Sequence, residues 1–457
     1  MAEKVGINID YLTPHYFYYK LIVVLFRNTK KQETQMASFI ENSNFFAGNN
    51  PEDIVAKYGT PVYVYNEKIL RDRMAKVAKV ITKYPYTANY SVKANTNIHI
   101  LKLALEEGLN CDAMSVGEIT LLLKAGFPSE RIFFVPNNVA PYELAFALKN
   151  GVMTSLDSLS QLELFGEVCN QMNIPAGERK CAVRINPGVG AGHHEKVVTG
   201  GKKTKFGIAE YDIPHIFEIA SKYGVRIAGI NQHIGSLFMD PQPYLDAVTN
   251  LLRIAEQFDN LDFIDFGGGY GIPYHKLNDE NDFPMEDFKA RLEPILDDFV
   301  ARYGKTPLFK SEPGRFCVAE GSVILGRVHA TKENSGIQFA GTDVGMNVLV
   351  RPSMYDSHHD IEVIRDGNIL PRNEADLVVQ TVTGNICESG DILAKDRPLP
   401  KLEEGDLICV LDTGAYGWSM CSTYNSRPRP AEVLICADGK VKQIRRKETI
   451  EDLLSMF

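Results

Sequence analysis

The chain of 457 residues has no excess of basic residues: 49 lysines and arginines stand against 58 acids, for a net charge of −9. Nucleic-acid binding needs a basic face, and so does attraction to an anionic membrane, so neither is an expected partner. Cysteine pairing is missing as well. The eight cysteines, at 111, 169, 181, 317, 387, 409, 421 and 436, form no CxxC pair and no zinc spacing. That argues against a disulfide framework and a structural metal, and a reducing cytoplasm fits best. Long apolar runs are absent too. The strongest, within 16–26, has an uninterrupted apolar part of only six residues, 21–26. A spanning helix needs about 20, and a secretory signal adds a small-residue cleavage site that is not found here. Residues 1–44 therefore read as an extension outside the fold, disordered or dispensable, with Met36 as an alternative start. Internal repeats, low-complexity blocks and long Ser/Gly linkers are also lacking, which predicts domains sharing a tight boundary.

What remains is the composition of an ordinary globular protein, 44% apolar and 23% charged, long enough for two domains. Eight short runs suited to buried strands recur: ANYSVKA (88–94), NCDAMS (110–115), RIFFVP (131–136), VMTSLD (152–157), CAVRINPG (181–188), IAGINQHIG (227–235), FIDFGGG (263–269) and PLFKSEPG (307–314). Between them lie amphipathic stretches at 97–107, 116–125, 141–149, 159–169, 212–222, 243–257 and 285–303. Strands and helices in that alternation predict a parallel (β/α)8 barrel over 67–318. A doubly wound open sheet would place its glycine fingerprint after the first strand. Here the glycines, GGGYG at 267–271, follow the seventh, where barrels commonly seat a phosphate. Beyond 318 the texture changes to alternating strands such as SVILGRVHAT, DLVVQTVTG and AEVLICADGK, predicting a C-terminal antiparallel β-domain over 319–457. The helix and strand within 45–66 are expected to join it.

Chemistry is expected at the C-terminal ends of the barrel strands. Lys93, in ANYSVKAN, is a cation in a β-branched setting; such a lysine is costly unless paired or used, and a Schiff base with a carbonyl cofactor is one use. The bland alternative is a lysine that snorkels to solvent. His233 and Ser236 end the sixth strand, offering a planar ring for stacking on an aromatic cofactor and a hydroxyl for a phosphate. Gly267, Gly268 and Gly269 would let backbone N–H groups approach an anion, although turns use glycine for conformation alone. Glu312 and Arg315 close the eighth strand: a carboxylate there can keep a pyridine nitrogen protonated, and a guanidinium can clamp phosphate or carboxylate. In the second domain Arg351, Tyr355 and Tyr416 offer polar anchors, and Cys387 with Glu388 forms a candidate reactive turn.

These motifs in this order, SVKAN, TGG with TKFGI (199–208), HIGS, GGGYG, EPGRF, GMN with RPSMYD, CESGD, and GAYGWSM with YNSRPRPAEVL, are similar to those of the pyridoxal-phosphate-dependent diaminopimelate decarboxylases of the alanine-racemase-like fold type. The likeness runs from about Phe45 to the C-terminus; two departures are Asn385, where a proline usually precedes the Cys-Glu-Ser run, and VPNNVA at 135–140. The resemblance implies that Lys93 carries pyridoxal 5'-phosphate, His233 stacks on its ring and Glu312 faces its nitrogen. It implies that Ser236, Gly267, Gly268, Gly269 and Tyr416 hold the phosphate. Arg315, Arg351, Tyr355 and Glu388, with Tyr416, would grip the amino-acid substrate, and Cys387 would return a proton. It further implies a homodimer in which Cys387 and Glu388 reach the partner's site, and decarboxylation of meso-diaminopimelate to L-lysine, the last step of lysine biosynthesis. A same-fold decarboxylase of ornithine, arginine or another basic amino acid is the nearest alternative. A silent pyridoxal-binding protein is disfavoured by the presence of both Lys93 and Cys387.

Overall fold

The computed structural model describes residues 38–457 apart from 187, 189–203 and 279. The apolar run at 16–26, Met36 and the TGG of 199–201 lie outside the described residues.

The first strand, β1 (Val62–Asn66), does not enter the barrel. Eight others do: β2 (Tyr86–Ser91), β3 (Asn110–Ala113), β4 (Ile132–Phe134), β5 (Met153–Leu156), β6 (Lys180–Asn186), then, past the two-residue β7 (Ile208–Ala209) beside β6, β8 (Arg226–Asn231), β9 (Phe263–Asp265) and β10 (Leu308–Ser311). They pair in parallel in chain order, and β2 closes the ring against β10. All eight overlap the runs expected from the sequence, β2, β6 and β8 starting one or two residues earlier, and they are legible because each is largely buried. Alternation sends Ala88 and Tyr90 outward into the core under the helices, while Asn89 donates to Asp265 (3.2 Å) and Ser91 to Asp112 (2.9 Å). Those inward residues make a polar interior near the strand ends; deeper in, Phe133, Ala182 and Phe263 form a small apolar cluster of their own.

The helices stop where their sequences tell them to. Ser115 and Ser158 cap Val116–Ala125 and Leu159–Gln171 by accepting backbone N–H bonds, and Gly126 ends the first of these in the left-handed region at φ +104°.

The second domain is built on a sheet ordered β14-β13-β17-β11-β1-β18-β19, with β11 (Ser322–Asn334), β12 (Ile337–Thr342), β13 (Ile361–Arg365), β14 (Asn368–Ile369), β15 (Leu377–Thr383), β16 (Ile392–Pro400), β17 (Leu407–Val410), β18 (Ala431–Ile435) and β19 (Val441–Arg445). β12, β15 and β16 extend from the outer half of β11. The sheet is antiparallel except at two pairings: β1 lies parallel to β18, and β12 to β15. Parallel neighbours need a long crossover, and for β1 and β18 that crossover includes the whole barrel. Both faces of the sheet are covered. Val62, Val64, Leu407, Cys409 and Val433 face a core shared with Phe45, Phe46, Ile54 and Val55, whereas Tyr63, Tyr65, Ile408 and Val410 face the barrel.

The boundary expected at residue 44 moves. Ser38 caps a helical turn, Phe39–Asn42, whose backbone N–H at Phe39 donates to Glu362 (2.6 Å), and Ile40 is buried against the sheet, so 38–44 belongs to the fold.

A buried ionic cluster joins the two domains. The Lys276 side chain, 8% exposed, donates to Glu320 (2.9 Å) and to Asp412 (2.7 Å). Burial pushes the Asp412 carboxyl up to about 7 even with Lys276 opposing it, so the ammonium is what makes this carboxylate tolerable. Lys276→Met is expected to cost about 3–5 kcal/mol of folding free energy, because it leaves the buried Asp412 without its cation, while Glu320 keeps Arg73. Equilibrium urea unfolding measures this, and an unchanged midpoint and slope would show the cluster to be incidental.

Candidate active site

The strand ends of the barrel and the face of the β-domain sheet enclose a cavity of about 230 Å³. Among its lining residues are Lys93, His233, Ser236, Gly269, Glu312, Arg315, Arg351, Tyr355 and Tyr416. Sequence separation is thereby erased: residues from 93 to 416 meet in one space.

Lys93 lies in a single 3-10 turn, Val92–Ala94, directly after β2. Burial works against its ammonium, but Tyr416, Asp112 and Glu312 outweigh that and hold its pKa above the ordinary value. Glu312 follows β10. Burial first, then the neighbouring Asp265 and Asp112, pushes its carboxyl well above the usual carboxylate range, so it keeps its proton until a basic group arrives. One of its oxygens, Oε1, is buried with no hydrogen-bond partner. His233 is neutral: burial lowers it well below the ordinary histidine value, with Lys93 and Arg184 adding to the effect. Its Nδ1 accepts from the Gly268 N–H (3.1 Å), which fixes the tautomer with the proton on Nε2.

Arg315 spans the cavity's other side, donating to Tyr274 Oη (2.7 Å) and Ser236 Oγ (3.2 Å), with its Nε buried and unpartnered. Its guanidinium stacks 5.0 Å from the centre of the Tyr416 ring. Arg351, only 2% exposed, donates to the same Tyr274 oxygen (3.0 Å) and to His359 Nε2 (2.9 Å). Tyr416 itself sits at φ +57°, a left-handed conformation that a bulky residue rarely adopts; its N–H is held by Ala94 O (2.8 Å).

One expectation changes. Of the three glycines only Gly269 lines the cavity; the N–H of Gly267 is committed to Asp265 (2.9 Å) and that of Gly268 to His233. A Cβ at Gly267 would lie 2.2 Å from Gln232 O, and one at Gly268 would lie 1.9 Å from Glu312 O. These two glycines let neighbouring strand ends touch and do not offer their N–H groups to an anion. Cys387 and Glu388, for their part, are not in this cavity. They occupy an exposed turn between β15 and β16, where the Cys387 N–H donates to Asn425 (2.9 Å) and Tyr424 Oη donates to Glu388. The Asp391 carboxylate shapes that turn by accepting from the backbone N–H of Met346 (2.6 Å) and Ile386 (2.7 Å).

Two further residues matter and were not anticipated. Tyr274 bridges the two arginines, but a lone tyrosine in the mixed loop sequence GIPYHK (271–276) carries no signal. Asp112, fully buried and raised to about 7 chiefly by burial, with Lys93 opposing, did carry one: it is a charge in the middle of a core strand, like Lys93.

The residues present fit a pyridoxal group. An amine at the strand end, an unpartnered buried carboxyl oxygen at Glu312 and an unpartnered guanidinium nitrogen at Arg315 match the three polar ends of such a ligand. Residues 67–319 match the family model described as the pyridoxal-binding domain of pyridoxal-dependent decarboxylases. A diaminopimelate decarboxylase of Methanothermobacter thermautotrophicus is 41% identical over 415 residues, 89% of this chain and 94% of its own. The chain belongs to the pyridoxal-phosphate-dependent diaminopimelate decarboxylase family. The member from Archaeoglobus fulgidus is 36% identical, with 88% of this chain and 94% of its own covered. Among solved structures, diaminopimelate decarboxylase of Helicobacter pylori complexed with L-lysine superposes with a TM-score of 0.81 at 31% identity, covering 89% of this chain and 99% of that one. The cavity's amine, carboxyl and guanidinium groups are therefore the candidate cofactor site. Among the described residues no group of histidines, cysteines and acids is suited to a metal, and no helix is long and apolar enough to cross a membrane.

Proposed function

We propose that the protein removes one carboxylate from meso-2,6-diaminopimelate, giving L-lysine and CO2, and that it does so as a cytoplasmic homodimer. The observation that carries the choice of substrate is Arg351. It is a buried guanidinium at the cavity, braced by Tyr274 and His359, with a second arginine, Arg315, on the same tyrosine oxygen. A substrate whose far end is only an amine or guanidinium would bring a cation to two cations. A substrate whose far end carries a carboxylate would supply the missing negative charge. That disfavours the alternative of an ornithine or arginine decarboxylase, and the lysine-bound relative supports it.

Pyridoxal phosphate, when bound, supplies the electron sink for the pair left as the Cα–carboxylate bond breaks. The roles of the protein groups follow from their chemistry. Lys93 would hold the cofactor through its side-chain amine. His233, neutral and fixed by Gly268, offers its ring face without placing a charge against the cofactor. Glu312, whose Oε1 is buried without a partner, would face the ring nitrogen and help keep it protonated. Arg315, Ser236, Gly269 and Tyr416 border the phosphate, and Arg351 with Tyr355 binds the far head group. Cys387 would supply a proton from its thiol to the substrate's α-carbon, and Glu388 would hold the far amine.

Those last two roles require a second copy, since the turn of Cys387 is exposed and outside the cavity of its own chain. The same reading treats 67–318 as the cofactor-binding barrel and 319–457, with 45–66, as the domain that closes it.

CO2 release from a panel of meso-diaminopimelate, lysine, ornithine and arginine tests the substrate. Only the first is expected to be turned over, and equal rates with ornithine would overturn the choice. Arg351→Ala is expected to lower kcat/KM for diaminopimelate about 100-fold or more, because truncating one partner of a buried charge pair typically costs 2–5 kcal/mol.

A further inference from the structure

The turn that carries Lys93 is fastened mainly from outside the barrel. Ala94 O accepts from the Tyr416 N–H (2.8 Å) and from Ser419 Oγ (3.1 Å), both in the β-domain. Asn95 spends its whole side chain on the same task. Its Nδ2 donates to Tyr65 Oη (3.0 Å) and to Gly414 O (3.1 Å), while its Oδ1 accepts from the Asn97 N–H (3.0 Å). Tyr65, on the barrel-facing side of β1, then donates its own proton to Glu432 Oε1 (2.7 Å) on the neighbouring β18. Glu432 is fully buried; its Oε2 accepts from Asn97 Nδ2 (2.8 Å) and pairs with Arg445, whose guanidinium lies 3.7 Å from the Trp418 ring centre.

This arrangement is more than sheet stability demands. Its neighbours along the strand, Val433, Leu434 and Ile435, are apolar, and an apolar residue at 432 would serve the sheet as well, since burying an ion pair is often no better for stability than packed hydrocarbon. What the charge adds is direction. Of its three donors, one is a tyrosine that also receives Asn95, and another is Asn97, so two bonds converge on the residues immediately after Lys93. Burial, reinforced by the Glu432 charge, keeps the Tyr65 hydroxyl protonated, so that it always donates to the carboxylate and accepts from Asn95. We infer that Glu432, acting through Tyr65 and Asn95, is a positioning residue for Lys93: the β-domain sets the direction from which the catalytic amine meets the cofactor.

The inference rests on Lys93 being the cofactor-bearing amine. Its test is Tyr65→Phe, which deletes one oxygen and leaves the ring, studied as holoenzyme beside wild type, Glu432→Gln and the double variant. Tyr65→Phe is expected to lower kcat per cofactor-loaded site about 10- to 100-fold with KM little changed, the size of a loss from misplacement of a reacting group. The pH midpoint of the bound-cofactor absorbance is expected to shift by about half a unit or more, as the amine's surroundings change. Apoenzyme is expected to take up pyridoxal phosphate covalently more slowly. The double variant should be little worse than Tyr65→Phe alone, as for links in one chain. A structural role alone would lower the melting temperature yet leave kcat per loaded site, the pH midpoint and the uptake rate at wild-type values; that result overturns the inference. Should Tyr65→Phe fail to fold, Glu432→Gln carries the same three readouts. Failure of the underlying reading looks different, because Lys93→Ala would then retain covalently bound cofactor.

Discussion

Lys93→Ala protein is expected to lose turnover entirely and to lose the absorbance of covalently held cofactor, while remaining folded. The expectation follows from where the residue sits. It ends an inward-facing row of β2, beside Asp112 and Glu312, in a cavity whose other polar groups leave an oxygen and a nitrogen unpaired. Among the described residues no second lysine lines that cavity to take its place. Lys310, the nearest alternative in the barrel, lies under the aromatic rings of Phe263 and Phe133 at 3.9 and 5.0 Å and is not among the lining residues. Borohydride reduction of the wild-type holoenzyme followed by peptide mapping should put the label on Lys93 alone. Turnover by Lys93→Ala protein, or a label on another lysine, would remove the foundation of the functional reading. Stability should change little, because removing a cation from a cluster of raised carboxyls lets them keep their protons.

Cys387→Ala is expected to bind cofactor normally and to lose about 10²- to 10⁴-fold in kcat, the usual worth of a positioned proton donor. The structural point is that Cys387 is not among the residues lining the cavity of its own chain: its turn is exposed and fastened by bonds to Asn425 and Asp391. If a second copy supplies it, the defect must be complemented. Equal amounts of Lys93→Ala and Cys387→Ala protein, each nearly inactive, should recover about a quarter of wild-type sites after subunit exchange, since half of randomly formed C2 dimers are mixed and each has one intact site. Proven exchange with no recovered activity would show that the sites are not shared. Normal turnover by Cys387→Ala would show that another group returns the proton.

How much of this was legible beforehand depended on whether a residue's type conflicted with its surroundings. Lys93 and Glu312 stand out in sequence because charges at the ends of buried strands are costly, and Asp112 carried the same signal in NCDA without being singled out. Tyr274 gave no such conflict, since a tyrosine is ordinary in a mixed loop, yet it holds two arginines together. The glycines at 267 and 268 show the opposite case. Their placement after the seventh strand pointed to a phosphate, but their missing side chains make room for Gln232 and Glu312 backbone atoms. Which neighbour a glycine accommodates depends on another strand, so no local pattern could tell the two apart.

The same distinction separates the levels of the fold. By itself the sequence determined the eight barrel strands, the helices between them and the chemical identity of the cofactor groups, because burial on both faces, capping residues and misplaced charges are all written in local order. Only the tertiary structure decided that β1 lies parallel to β18, that Tyr65 and Glu432 meet next to Asn95 in the segment after Lys93, and that Cys387 lies outside its own chain's cavity. Each of these joins residues separated by the length of a domain, and contacts at that range are chosen by the packing of whole sheets against one another, which leaves no periodic trace in the chain.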